Sequence, residues 1–72
     1  MNGNLLRSKR AIVGITQKTL AKKLSISEKT YNQKEQGKNY FKPDEILKIS
    51  RELSLSSNDV NEIFFDSNLP NE

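Results

Sequence analysis

The chain of 72 residues contains neither cysteine nor histidine. Without cysteine it can form no disulfide, and it has no thiolate that could bind a metal or attack a substrate. Without histidine it lacks the commonest metal ligand and the commonest general base. We therefore expect no catalytic residue, no metal site, no cofactor and no small-molecule substrate.

Long hydrophobic stretches are also missing. The longest apolar run, AIVGI at residues 11–15, is much shorter than the roughly 20 residues that a membrane-spanning helix needs. The N-terminal residues MNGNLLRSKRA lack the apolar core followed by small residues that marks a signal peptide. We therefore expect no membrane partner and an intracellular, soluble protein.

The two parts of the chain differ strongly in charge. Residues 1–42 hold ten basic and two acidic side chains, a net charge of +8, whereas residues 43–72 hold two basic and seven acidic ones, a net charge of −5. A basic part of this kind is typical of a surface that meets a polyanion. Lysine-rich helices that are merely well solvated show the same bias, so charge alone does not decide between the two interpretations.

Apolar residues recur along the chain with helical spacing, and a chain of this length forms one small domain. Capping residues at Thr16, Ser27 and Ser56, and the proline at Pro43, predict where the second to fifth helices begin. We expect an all-α fold of five short helices, with the domain over residues 1–66 and a C-terminal tail over residues 67–72. The breakers between helices are three glycines and two prolines: Gly3, Gly14, Gly37, Pro43 and Pro70.

The same spacing predicts which side chains are buried. In the first helix, Ile12 and Val13 continue the apolar stripe, and in the fourth helix Leu47 is expected to face inward. Tyr40 and Phe41, in the loop before the fourth helix, are expected to pack against the core.

Residues 16–38 read TQKTLAKKLSISEKTYNQKEQGK. Two short helices joined by a tight turn, with the small Ala21 where they meet, correspond to a helix-turn-helix. On the second of these helices, Glu28 aligns with Asn32, and Lys29 aligns with Gln33. Amides and lysine suit the base edges of the DNA major groove, although a solvated helix face has the same composition.

The order of these residues resembles the phage Cro/repressor family of helix-turn-helix proteins, over about residues 5–65. The resemblance implies a compact lambda-repressor-like domain and an internal ion pair between Arg10 and Glu35. It further implies that one group of side chains faces bases and another lies near the DNA backbone. The first group is Gln17, Glu28, Lys29 and Gln33. The second is Asn32, Gln36 and Lys38, together with Arg7 and Lys9. The resemblance rests on Ser8-Lys9-Arg10, Thr16-Gln17, Leu20-Ala21, Leu24, Ile26-Ser27, Thr30, Glu35 and Gly37-Lys38.

Some positions depart from the family pattern. Ser25 stands where the turn usually has glycine, at a position that often needs a positive φ. Lys34 stands where an apolar residue usually packs, so we expect its stem to cover that surface while its ammonium group reaches water. Gln36 replaces a usual asparagine. Glu28 would be repelled by phosphates unless it accepts a hydrogen bond from cytosine, and a glutamate in a first helical turn is also favoured simply by the helix dipole.

Two functions agree with this resemblance. The first is a Cro-like regulator of a phage genetic switch, which binds double-stranded operator DNA as a dimer in the cytoplasm of a bacterial host. The alternative is an anti-repressor or modulator, which binds a phage repressor protein and masks its DNA-binding surface in a heterodimer. In the family, the region after the fourth helix commonly makes the dimer contact, which implies that role for Phe65 and Leu69.

Overall fold

The computed structural model describes residues 1–65, and over these residues every regular secondary-structure element is an α-helix. The five helices are α1 (Gly3–Val13), α2 (Gln17–Lys23), α3 (Glu28–Glu35), α4 (Pro43–Glu52) and α5 (Ser57–Phe64). The all-α, five-helix fold class predicted from the sequence is confirmed. Leu69 and the predicted tail over residues 67–72 lie outside the described residues.

The predicted helix starts are the observed ones. The side chains of Thr16, Ser27 and Ser56 each accept a hydrogen bond from the backbone N–H three residues later, which satisfies one of the donors that a helix start leaves free. Pro43 occupies the first turn of α4, where its missing N–H costs nothing. These local contacts explain why helix boundaries follow closely from the sequence.

The core is assembled from every helix. Leu6, Leu20, Tyr31, Ile49 and Ile63, one residue from each helix in chain order, are fully inaccessible to solvent. Burying a large apolar side chain stabilises a fold by about 1.5–3 kcal/mol. The five helices therefore depend on one another for stability.

Phe41 packs in this core as expected, with its ring centroid 5.7 Å from that of Tyr31 and 5.6 Å from that of Phe64. Its neighbour Tyr40 is 95% exposed, so the prediction that both rings pack inward is wrong for Tyr40. Consecutive residues in a loop point in different directions, and Phe41 occupies the space against α3 and α5.

The inner faces of α1 and α4 are also rotated from those predicted. Ile12, Val13 and Leu47 are 78%, 46% and 59% exposed. In α1 the side chain that turns toward α3 is Arg10, which pairs with an acid there. In α4 the buried face is centred on Ile49 and includes the charged Glu45.

Glu45 is buried because Lys34 is its partner. Lys34 Nζ lies 2.7 Å from Glu45 Oε1 and 5.9 Å from the centroid of the Phe41 ring. The prediction that the Lys34 ammonium group reaches water is therefore wrong. The group stays inside because a carboxylate and an aromatic face replace its hydration.

Candidate nucleic-acid interface

Helices α2 and α3 are joined by a short, tightly closed turn. Ser25 adopts a left-handed conformation with φ of 60°, and the Ile26 N–H donates to the Ala21 carbonyl oxygen at 3.1 Å. Ala21 is buried where the helices meet, and Tyr31 anchors α3 in the core. The turn therefore fixes α3 against α2 and leaves the opposite side of α3 uncovered.

The uncovered side of α3 presents polar groups that have no partner among the residues that the structure describes. Glu28, Lys29 and Gln36 are exposed, and so is Lys38, which lies three residues beyond the end of the helix. Within residues 1–65, none of these four side chains makes a hydrogen bond or an ion pair. Gln33 lies among them, half-buried, and its Oε1 accepts from Asn39 Nδ2 at 3.3 Å. The surface thus offers cations and amides to an external partner.

Further basic residues flank this surface on α1 and α2. Lys18 and Lys22 are exposed and have no acidic partner among residues 1–65, whereas Lys23 lies 3.6 Å from Glu52. Arg7 is half-exposed, and its Nε lies 3.6 Å from Glu35 Oε2. The excess positive charge of the first part of the chain is therefore available around α2 and α3 to attract a polyanion.

Behind the exposed surface, α1, α2 and α3 are joined by hydrogen bonds to the buried carboxylate of Glu35. Arg10 donates to both of its oxygens, from Nε at 2.9 Å and from Nη2 at 3.0 Å. Tyr31 Oη donates to Oε1 at 2.7 Å, and Gln17 Nε2 donates to Oε2 at 3.0 Å. This arrangement compensates the burial of the charge and holds the three helices in one geometry.

The protonation states follow from these contacts. Burial acts to raise the pKa of Glu35, but the hydrogen bonds from Arg10, Tyr31 and Gln17 outweigh it, so that its pKa lies below the ordinary 4.5. The hydrogen bond to Glu35 raises the pKa of Arg10. Burial, together with the hydrogen bond to Glu35, raises the pKa of Tyr31. At neutral pH the cluster therefore combines a carboxylate, a guanidinium and a neutral phenol.

Two side chains implied by the resemblance to contact DNA are also bonded to each other. Gln17 Nε2 donates to Asn32 Oδ1 at 3.1 Å as well as to Glu35. Both N–H groups of Gln17 are thereby used inside the protein, which leaves its carbonyl oxygen as the polar atom available to a partner.

A separate apolar groove lies between α4 and α5, and Glu35 is not among its lining residues. Phe65 is 57% exposed at its edge, and Leu47 is exposed on its other wall. Among residues 1–65, no charged side chain lines the groove, although 29% of the residues in the chain are charged. The lining residues are Phe41, Pro43, Ile46, Leu47, Ser50, Leu55, Ser57, Val60, Asn61 and Phe65.

A helix-turn-helix family model matches residues 6–60, which is most of the chain. The chain belongs to the XRE-type helix-turn-helix family. This is a family of DNA-binding regulators and is not typically enzymatic, and the protein is accordingly a helix-turn-helix regulator that binds double-stranded DNA. No curated protein and no solved structure matches the chain.

Within residues 1–65, none of the helices of this regulator is both long and apolar enough to cross a membrane. The same residues contain no group of three acidic, cysteine or histidine side chains that could hold a metal ion.

Three contacts of this helix-turn-helix domain were not predicted from the sequence: Tyr31 with Glu35, Gln17 with Glu35, and Gln17 with Asn32. Tyr31 and Glu35 are four residues apart, a spacing that places them on one helix face, so their hydrogen bond had a local signal. The contact between Gln17 and Asn32 joins separate helices, and the sequence contains no local signal for it.

Proposed function

We propose that the protein is a Cro-like regulator of a phage genetic switch and that it binds operator DNA with α3 in the major groove. The observation that carries this proposal is the set of exposed polar side chains on and just after α3 that have no hydrogen-bond or ion-pair partner among residues 1–65. The inner side of the same helix is fixed by the Glu35 network. A rigid helix loses little freedom on binding, and unpaired amides and cations gain partners on DNA.

Each side chain on this surface has a matching group on DNA. Lys29 can donate to the acceptors of guanine, and Gln33 can pair with adenine through its amide. Glu28 can accept from the amino group of cytosine. Gln36 and Lys38 suit phosphate oxygens, which position a protein on the duplex without reading its sequence.

The proposed regulator acts as a homodimer, because helix-turn-helix proteins commonly read two half-sites one DNA turn apart. The groove between α4 and α5 supports this assembly. Its lining within residues 1–65 has no charged side chain, so two copies of this lining can meet without like-charge repulsion. In this proposal Phe65 and Leu69 contribute to the dimer contact.

The DNA-binding surface is tested by selecting duplexes from a randomised library and titrating the selected duplex at several salt concentrations. Replacing Lys29 and Gln33 together by alanine is expected to abolish sequence preference, at about 1–3 kcal/mol per lost base contact. A matched control replaces Lys48 and Asn58, an exposed lysine and amide on α4 and α5, and is expected to keep the preference. Equal preference in both double variants would exclude α3 as the reading helix.

The dimer is tested by sedimentation equilibrium of the full chain. Leu47→Asp is expected to shift the protein from dimer to monomer, because two new carboxylates would meet across a buried apolar contact. Ile12→Asp changes an exposed apolar residue outside the groove and is expected to leave the dimer intact. A wild-type protein that sediments as a monomer at all concentrations would refute the homodimer.

A second function is favoured by the position of Glu28. This carboxylate is exposed in the first turn of α3, where DNA phosphates would repel it but the basic DNA-reading face of a repressor would attract it. In this function the protein is a modulator that binds a phage repressor. Titration with a phage repressor and with DNA separates the two functions, because Glu28→Lys would weaken repressor binding but strengthen non-specific DNA binding.

A further inference from the structure

A chain of side-chain hydrogen bonds runs from the buried carboxylate of Glu35 to the surface of α3. Gln17 Nε2 donates to Glu35 Oε2 at 3.0 Å and to Asn32 Oδ1 at 3.1 Å. Glu35 has no exposed side-chain surface, whereas Asn32 is half-buried at the edge of the exposed side of α3. The chain therefore connects an interior charge to a group that can touch a ligand.

The chemistry of Glu35 determines the direction of every bond in this chain. An ionised carboxylate can only accept hydrogen bonds, so Gln17 must turn its NH₂ group toward it. The second N–H of that group then points at Asn32, and Asn32 must present its oxygen. The Asn32 NH₂ group is therefore turned away from Gln17, and within residues 1–65 it has no acceptor.

Neither the Gln17 nor the Asn32 side-chain amide can exchange the positions of its oxygen and its NH₂ group without losing hydrogen bonds. If Gln17 turned over, its oxygen would face the carboxylate and both hydrogen bonds would be broken. If Asn32 turned over alone, two NH₂ groups would face each other. The carboxylate itself cannot adjust, because Arg10 binds both of its oxygens and Tyr31 binds one of them. The orientation of Asn32 is therefore set before any ligand arrives.

We infer that Asn32 is a hydrogen-bond donor of fixed orientation toward DNA, and that Gln17 acts as a positioning residue that holds it. This inference rests on the proposed DNA-binding role of α3. The acceptor is a DNA oxygen or nitrogen without its own hydrogen, either a phosphate oxygen or the N7 or O6 atom of a purine. A group that can only donate hydrogen bonds, such as the cytosine amino group, cannot pair with Asn32 in this orientation.

Side-chain amide exchange in ¹⁵N-labelled full-length protein tests the inference directly. Without DNA, the Gln17 NH₂ protons are expected to exchange slowly and the Asn32 NH₂ protons rapidly. A duplex of about 20 base pairs, two helical turns, is then added at low salt. The Asn32 protons are expected to exchange about tenfold more slowly, as one net hydrogen bond of about 1.4 kcal/mol requires.

The outcomes distinguish this inference from the proposal on which it rests. Shifts of the α3 backbone amides on DNA addition, with no change in Asn32 side-chain exchange, would overturn the role of Asn32 while leaving DNA binding by α3 intact. Slow Asn32 exchange in the free protein would also overturn it. No shift anywhere in α3 would overturn both proposals.

Substitutions test the same role by affinity. Asn32→Leu keeps a similar side-chain size but removes the donor, and it is expected to weaken DNA binding about tenfold. Asn58→Leu, at an exposed asparagine of α5, is the matched control and is expected to change nothing. An equal loss on all duplexes identifies a phosphate acceptor, whereas a changed preference at one base pair identifies a purine. An unchanged affinity would overturn the role.

The positioning role of Gln17 requires a double-mutant cycle. Gln17→Met removes its hydrogen bonds at similar size, and DNA binding is expected to weaken because Asn32 is no longer held. If Gln17 acts through Asn32, the variant with both substitutions binds no more weakly than Asn32→Leu alone. Additive losses would show that Gln17 contacts DNA independently. Should a variant fail to fold, the exchange measurement on the wild-type protein still decides the inference.

Discussion

Lys34 Nζ lies 2.7 Å from Glu45 Oε1, and the two side chains are only 9% and 5% exposed. The pair joins α3 to α4, and the same Glu45 oxygen accepts from the Lys42 N–H at 2.8 Å. The Glu45 carboxylate therefore caps the N-terminus of α4 and neutralises a buried cation of α3. Because α3 is the proposed DNA-reading helix, this contact helps to hold the reading surface against the rest of the domain.

Lys34→Met is expected to lower the free energy of unfolding by about 3 kcal/mol, because it leaves the Glu45 charge buried without a partner. Adding Glu45→Gln should recover part of this loss, since the amide oxygen can still accept from Lys42 without carrying a charge. Urea denaturation of both variants measures the effect. Lys48→Met, on the exposed side of α4, is the control. A loss below about 0.5 kcal/mol, the size of an ordinary surface effect, would contradict the structural role of the pair.

Stability is expected to fall in acid because of Glu35. Its pKa is lowered in the folded protein from the ordinary 4.5, so the unfolded chain takes up a proton at a higher pH than the folded one does. The contribution of Glu35 is therefore complete above pH 4.5 and is lost as pH decreases through the lower folded pKa. Urea denaturation from neutral pH to about pH 3 measures this slope.

Glu35→Gln isolates the contribution of that residue. The variant is expected to be less stable than the wild type at neutral pH by about 3 kcal/mol, the scale for breaking a buried pair, and the difference should narrow below pH 4.5. Asp59, whose pKa is lowered chiefly by the hydrogen bond from the Ser56 backbone, contributes in the same direction, so Asp59→Asn serves as the comparison. If the difference in the free energy of unfolding between wild type and Glu35→Gln were the same at all pH values, ionised Glu35 would be excluded as the source of the loss of stability in acid.

Gly3 is expected to be intolerant of alanine, although it lies in a helix. A methyl group at this position would overlap the backbone carbonyl oxygen of Glu35, because the start of α1 passes directly over the end of α3. Glycine to alanine usually stabilises a helix by about 0.5–1 kcal/mol. Here the overlap should reverse the sign, with a loss of about 1–3 kcal/mol.

Thermal unfolding measures the effect of Gly3→Ala, since 1 kcal/mol corresponds to about 4–8 °C in a domain of this size. Ser8→Ala, at an exposed position of the same helix, should leave the melting temperature nearly unchanged. A higher melting temperature for Gly3→Ala would mean that α1 can move away from α3 without loss.

The sequence was most informative where structure depends on neighbouring residues. Caps at Thr16, Ser27 and Ser56, and the left-handed glycines Gly14 and Gly37, place the helix ends. These signals are local, because a capping side chain reaches only two or three residues along the chain. The helix-turn-helix could be predicted for the same reason.

The wrong predictions concern which face of a helix is buried, because a contact with another helix determines that face. Hydrophobicity favours burying Leu47, but α4 instead buries Glu45, since Lys34 on another helix needs a carboxylate. Likewise, α1 turns Arg10 rather than Ile12 toward α3. The orientation of the Asn32 amide group depends on contacts among three helices, so residue spacing within one helix could not predict it.

Ser25→Gly is expected to stabilise the helix-turn-helix. Ser25 has a φ of 60°, a conformation that costs a residue with a side chain about 1–2 kcal/mol and costs glycine almost nothing. Glycine also increases the freedom of the unfolded chain, so the net gain should be about 0.5–1 kcal/mol. Urea denaturation measures the change.

Two comparisons make this prediction specific. Ser54 also has a left-handed conformation, with φ of 53°, and Ser54→Gly should give a similar gain between α4 and α5. Ser27 has a φ of −72° and caps α3, and Ser27→Gly should give no gain, because the cap is lost and no strain is relieved. If all three substitutions had the same effect, the left-handed turn at Ser25 would not be the cause. A higher free energy of unfolding for Ser25→Gly and Ser54→Gly, but not for Ser27→Gly, would mean that the left-handed conformation of Ser25 and Ser54 costs the wild-type protein stability.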